Sequence, residues 1–153
     1  MLLRAVVRET LRLYPPAWAA GRMAREPFDF EGYRFPAGQM VMFSQWITQR
    51  LPEVWGPSAE RWDPHRFLKD TNLVPPTRSR RLEYFPFGAG PHICLGMSVA
   101  ELEAMLILSR IIQCCGLTLA RGLRVEHDPL IPPRPKDPVH LSRPAQRPVV
   151  IRS

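Results

Sequence analysis

The sequence predicts a mixed chain, mainly α with small β-sheets, and three observations predict it. A helical pattern opens the chain, and a longer apolar one runs through residues 97–115. Between them lie alternating aromatics and proline-rich turns. The 153 residues suit about one domain. With 45% apolar and 23% charged residues the chain can bury a core, which argues against disorder. Proline is the outlier at 18 residues, more than twice its usual share of roughly 5%. That excess predicts stiff, irregular connections.

Leu2 to Leu13 reads as the first helix. Leu3, Val7 and Leu11 fall on one stripe at four-residue spacing. Pro15 and Pro16 stop it, because a residue before proline avoids helical angles. Met1 stands almost inside the pattern without a capping residue, so a truncated start is expected. Phe28, Phe30, Tyr33 and Phe35 alternate around Glu31-Gly32, which predicts a hairpin. Pro36-Ala37-Gly38 predicts a turn and Met40 to Phe43 a strand.

From Arg50 to Phe67, Pro52, Pro57 and Pro64 predict an ordered meander anchored by Trp55, Trp62 and Phe67, with a short helix near Ser58 to Arg61. A basic group, Arg78, Arg80 and Arg81, precedes a glycine-rich loop from Phe85 to Gly96. The second helix spans about Met97 to Cys115. Its apolar residues, Ala104 to Leu108 and Ile111 to Ile112, point in nearly all directions and predict burial on most faces. Gly116 predicts its stop. The proline-rich tail leaves room only for short edge strands near Val139 to Leu141 and Val149 to Ile151. No internal repeat or domain boundary is visible.

The net charge is +7, carried by 19 Arg and 2 Lys. Basic charge can serve nucleic acid, but these arginines are scattered and form no recognition motif, so no nucleic-acid partner is expected. No apolar run approaches the roughly 18 residues that suggest a membrane-spanning helix. Cys94, Cys114 and Cys115 are odd in number, two of them adjacent, and make a poor disulfide framework. A reducing, cytoplasmic compartment is the simpler expectation.

The chemistry concentrates in Phe87-Gly88-Ala89-Gly90-Pro91-His92-Ile93-Cys94-Leu95-Gly96. A cysteine here sits in a glycine-rich loop directly before a helix, whose first amides favour a thiolate. Glycines let the backbone approach a flat ligand. Zinc is a poor fit, since no other Cys or His lies at ligand spacing. One thiolate suits a cofactor that brings its remaining ligands itself, as haem does. The bland alternative is a buried, inert cysteine in a tight turn.

The segment fills the pattern F-x-x-G-x-x-x-C-x-G with Phe87, Gly90, Cys94 and Gly96. In this it resembles the haem-binding loop of the cytochrome P-450 family. A chance match in a chain of this length is on the order of one in a few thousand. Glu9-Thr10-Leu11-Arg12, followed by Leu13-Tyr14-Pro15-Pro16, is similar to the family's E-x-x-R helix. Asp63-Pro64-His65-Arg66-Phe67 is similar to its Pro-x-Arg-Phe segment, with His65 in place of the commoner Glu. Ala100 and Glu103 match A-x-x-E, and Arg134-Pro135-Lys136 matches a late turn. The resemblance therefore covers nearly the whole chain in order.

The resemblance implies residues 1–153 as the C-terminal haem-binding portion of a single P-450 domain, the N-terminal part being absent. It implies a haem-thiolate monooxygenase that activates dioxygen to oxidise a small organic substrate. Electrons would come from a redox partner, a ferredoxin, flavodoxin or reductase. Cys94 would be the axial ligand and catalytic thiolate on haem (iron-protoporphyrin IX), with Phe87 beside its sulfur and Gly88, Gly90 and Gly96 shaping the loop. His92 and Arg22 would meet the propionates. Glu9, Arg12 and Arg66 would form a structural cluster, and the arginines at 78, 80 and 81 would face an acidic redox partner. The alternative is a non-catalytic haem-binding remnant of a truncated gene.

Overall fold

The structure, a computed structural model, describes residues 1–69, 83–119, 125–128, 134–139 and 141–142. Arg78, Arg80, Arg81 and the expected strand at Val149 to Ile151 lie outside the described residues.

Helix α1, Leu2–Leu13, has no side-chain cap and ends in the backbone bond from Tyr14 N–H to the Thr10 carbonyl. Prolines 15 and 16 forbid another turn because they carry no N–H. Ala5, Val7 and Leu13 are buried, and so are Glu9 and Arg12. Leu3 and Leu11 of the predicted stripe are only half-buried.

Strand β1, Ala20–Met23, pairs antiparallel with β4, Met40–Phe43, with Ala20 opposite Phe43 and Met23 opposite Met40. β1 carries no alternating pattern that the sequence could have revealed. Between them β2, Phe28–Phe30, and β3, Tyr33–Phe35, form the expected hairpin. Glu31 and Gly32 both take positive φ, 50° and 81°, the turn whose twist matches that of the strands. The Phe28 and Phe35 rings stack at 4.8 Å. At Pro36-Ala37-Gly38, Gly38 has φ 79° and the Gln39 N–H returns to the Pro36 carbonyl.

The meander holds α2, Gln45–Thr48, α3, Pro52–Trp55, and α4, Arg66–Lys69. Ser44 caps α2 by accepting the Ile47 N–H. Pro52 begins α3, where its missing N–H costs nothing. The helix expected near Ser58 to Arg61 is instead two turns, closed from Ala59 N–H to Gly56 and from Arg61 N–H to Ser58. Trp55 is buried and Phe67 half-buried, but Trp62 is 47% exposed.

Helix α5, Met97–Cys114, matches the predicted span but not the predicted burial. None of its residues is fully buried. Met97, Glu101, Ala104, Met105 and Leu108 form a half-covered stripe, and α5 packs on α1. Val99, Leu102, Leu106, Ile107, Ile111 and Ile112 are exposed. One neighbouring helix covers only one stripe, whatever the composition of the others. Cys114 is exposed and Cys115 half-buried. The helix ends on an extended Cys115 at φ −135°, one residue before the predicted glycine stop. Short ladders follow: β5, Thr118–Leu119, with β8, Leu141–Ser142, and β6, His127–Asp128, with β7, Arg134–Pro135.

Candidate functional site: a cysteine loop and a buried ion cluster

The Cys94 loop leaves Phe85 and Pro86, both buried, and reaches α5 through a single 3-10 turn, Gly90–His92. Gly88 N–H bonds to the Phe85 carbonyl and Cys94 N–H to the Phe87 carbonyl, each at 2.9 Å. Those bonds fold the loop back on itself and present Cys94 outward. Cys94 is exposed, and Ile93 and Leu95 beside it are 41% and 100% exposed. Gly90 has φ 72°, and a Cβ there would meet nothing within 4 Å. Gly96 precedes α5, and a Cβ on it would lie 3.8 Å from Cys94 Sγ. Phe87 and Gly88 are half-buried.

An exposed thiol sits between exposed apolar side chains on a loop open at Gly90. Among the described residues, no group of three or more His, Cys, Asp or Glu could hold a metal ion. A lone thiol on an apolar face fits a macrocycle that supplies the other metal ligands.

A separate ion cluster joins α1 to the meander. Glu9 and Arg12 are completely buried. Arg12 Nε donates to Glu9 Oε2 at 2.7 Å and Arg12 Nη2 to Oε1 at 2.9 Å. The same Oε1 accepts the Asp63 backbone N–H at 2.8 Å and Arg66 Nε at 3.1 Å. Arg66 reaches on to the carbonyls of Ser58 and Arg61. The Arg12 guanidinium also lies over the Trp55 ring, 4.9 Å from its centre. The structure thus brings Glu9, Arg12 and Arg66 together, and the cluster pins the meander to α1. One carboxylate facing two guanidiniums is tolerable inside a protein only when its remaining hydrogen bonds are met, as here.

His92 and Arg22 are both exposed. Arg22 donates to the Gly21 carbonyl and lies 5.5 Å over the Phe43 ring. Neither belongs to the cluster. Asp63 accepts both the backbone N–H and a ring nitrogen of His65, and these bonds lower its carboxyl pKa below the ordinary value. The Arg50 guanidinium lies over the Trp46 ring, 3.4 Å from its centre, and bonds to the Leu13 carbonyl and to Glu60. Burial draws its pKa down, against the opposing pull of Glu60.

Three supports escaped the sequence reading. Gln49, fully buried, bonds to the Phe85 N–H at the loop entrance. Arg8 and Glu101 pair at 3.3 Å and join α1 to α5. Tyr84 donates its hydroxyl to the Arg8 carbonyl, and burial raises its pKa far above the ordinary phenol range. An amide and an ion pair far apart in sequence carry no periodic signal. Tyr84 alone had a cue, as one of several aromatics before the loop.

Comparison with known proteins bears on the whole arrangement. The cytochrome P450 family profile matches residues 1–137. The chain is 35% identical to human mitochondrial sterol 26-hydroxylase over 119 residues, 78% of this chain and 22% of that protein. It is 39% identical to the cyclooctat-9-en-7-ol 5-monooxygenase of Streptomyces melanosporofaciens over 111 residues, 71% of this chain and 22% of that enzyme. The solved structure of retinoic acid-bound cyanobacterial CYP120A1 superposes with a TM-score of 0.81 at 33% identity, covering 93% of this chain and 33% of that one. The chain spans only about a fifth to a quarter of the length of such curated relatives. With the family profile matching most of the chain, the cysteine loop and the Glu9 cluster in order, and the fold shared, the chain belongs to the cytochrome P450 family.

Proposed function

We propose that the chain is the haem-thiolate portion of a monooxygenase that oxidises a small organic substrate. The observation that carries this reading is the exposed Cys94 thiol on a loop opened by Gly90 and flanked by exposed Ile93 and Leu95. Haem, when bound, supplies iron for dioxygen activation. The chain's own residues hold and orient it. Cys94 would hold the iron through its thiolate, Phe87 would lie beside the sulfur, and Gly88, Gly90 and Gly96 would keep side chains off the approach. His92 and Arg22 would offer hydrogen-bond donors to the propionates from exposed positions. Glu9, Arg12 and Arg66 hold the meander on α1.

A redox partner of the ferredoxin, flavodoxin or reductase kind supplies electrons in this proposal, and the setting is cytoplasmic. Among the described residues, no helix is long and apolar enough to cross a membrane. Hemin reconstitution followed by reduction under carbon monoxide tests the reading. The parent chain is expected to show a strongly red-shifted Soret band that Cys94→Ser loses. A band typical of neutral ligation in the parent would defeat it. Turnover by the loaded chain would separate a working enzyme from a haem-binding remnant.

A further inference from the structure

We propose that Gln49 is a positioning residue that ties the Cys94 loop to the end of α1; its consequence for haem rests on the reading just given. Gln49 follows α2 and is fully buried. Its Nε2 donates to the Leu11 carbonyl at 3.3 Å and the Arg12 carbonyl at 3.0 Å. In a continuing helix those two carbonyls would accept from residues 15 and 16, four positions on. Both positions are proline and have no N–H to give. The two carboxamide hydrogens of Gln49 replace those missing donors.

The other end of the carboxamide faces the loop. Gln49 Oε1 accepts the Phe85 N–H at 2.8 Å, the start of the loop. From there the Phe85 carbonyl holds Gly88 N–H, and the Phe87 carbonyl holds Cys94 N–H. The backbone carbonyl of Gln49 accepts Arg12 Nη1 at 2.6 Å, which joins the same residue to the ion cluster. The carboxamide can face only one way, since the two carbonyls only accept and the Phe85 N–H only donates. Gln49 therefore sets where the Cys94 loop departs relative to α1 and the Glu9 cluster.

Gln45 supplies a matched control. It is 2% exposed and lies one turn earlier, and its side-chain carboxamide oxygen has no hydrogen-bond partner among the described residues. The experiment is amide hydrogen exchange by NMR on the full chain and on Gln49→Met and Gln45→Met. In Gln49→Met, the Phe85, Gly88 and Cys94 amides should exchange about tenfold faster relative to Leu108 in the middle of α5, the loss of roughly one hydrogen bond. Gln45→Met should leave that ratio unchanged. Equal acceleration of Leu108 and the loop, or no change, would overturn the proposal.

Should Gln49→Met not fold, the parent chain decides alone. A scalar coupling across the hydrogen bond, from the Phe85 nitrogen to the Gln49 carboxamide carbon, is expected, and its absence overturns the proposal. With hemin added, Gln49→Met should bind about 10- to 100-fold more weakly, as loss of an outer support does at metal sites. Failure of the parent to bind hemin would count against the haem reading alone, with the exchange ratio still deciding the role of Gln49.

Discussion

At Glu9 a single carboxylate accepts four hydrogen bonds, two from Arg12, one from Arg66 and one from the Asp63 backbone. Removing it leaves the fully buried Arg12 guanidinium without its counter-charge. Glu9→Ala is therefore expected to lose about 3–5 kcal/mol, measured as a shift in the urea unfolding midpoint. Tyr84 gives a second prediction, on pH. Burial keeps its phenol protonated in the folded chain well above the ordinary range. In the unfolded chain it ionises near pH ~10. Its contribution is complete below that pH. Above it, unfolding releases a proton, and stability falls by up to about 1.4 kcal/mol per pH unit. Tyr84→Phe should remove this part of the alkaline loss, seen by comparing unfolding midpoints at about pH 9 and about pH 11.

At the scale of elements, the helix spans and the hairpin were legible because their signals are local. Pro15-Pro16 stops α1, and Glu31-Gly32 adopts the positive φ pair the hairpin demands. The β1 strand and the meander helices were not legible. β1 exists because β4 pairs with it, and turns of four residues have no period to read. Helix α5 shows the same limit in packing. Its apolar composition states which faces water disfavours, but not whether another element covers them. The exposed face should consequently tolerate polar residues. Leu106→Gln and Ile112→Gln are each expected to change stability by less than about 0.5 kcal/mol in urea titrations. Losses of several kcal/mol would mean that those side chains are covered in solution.

At the scale of the whole molecule, α1 is the hub, in contact with α2, α4 and α5. Arg8 and Tyr84 join it to α5 and to the loop entrance, Gln49 to Phe85, and Glu9 to the meander. The motif residues Glu9, Arg12, Arg66 and Cys94 were legible because each stands in a short pattern. The amide and ion pair that connect them were not, because contacts across dozens of residues leave no local trace. In the function proposed above, Cys94, among the three cysteines, is the one that holds the iron of haem. Resonance Raman spectroscopy of the hemin-loaded ferric chain tests it most directly. An iron–sulfur stretching band is expected, shifted by heavy-sulfur cysteine, unchanged in the Cys114→Ser, Cys115→Ser double variant and absent in Cys94→Ser. A band that survives Cys94→Ser, or none in the parent chain, would rule out Cys94 as the ligand.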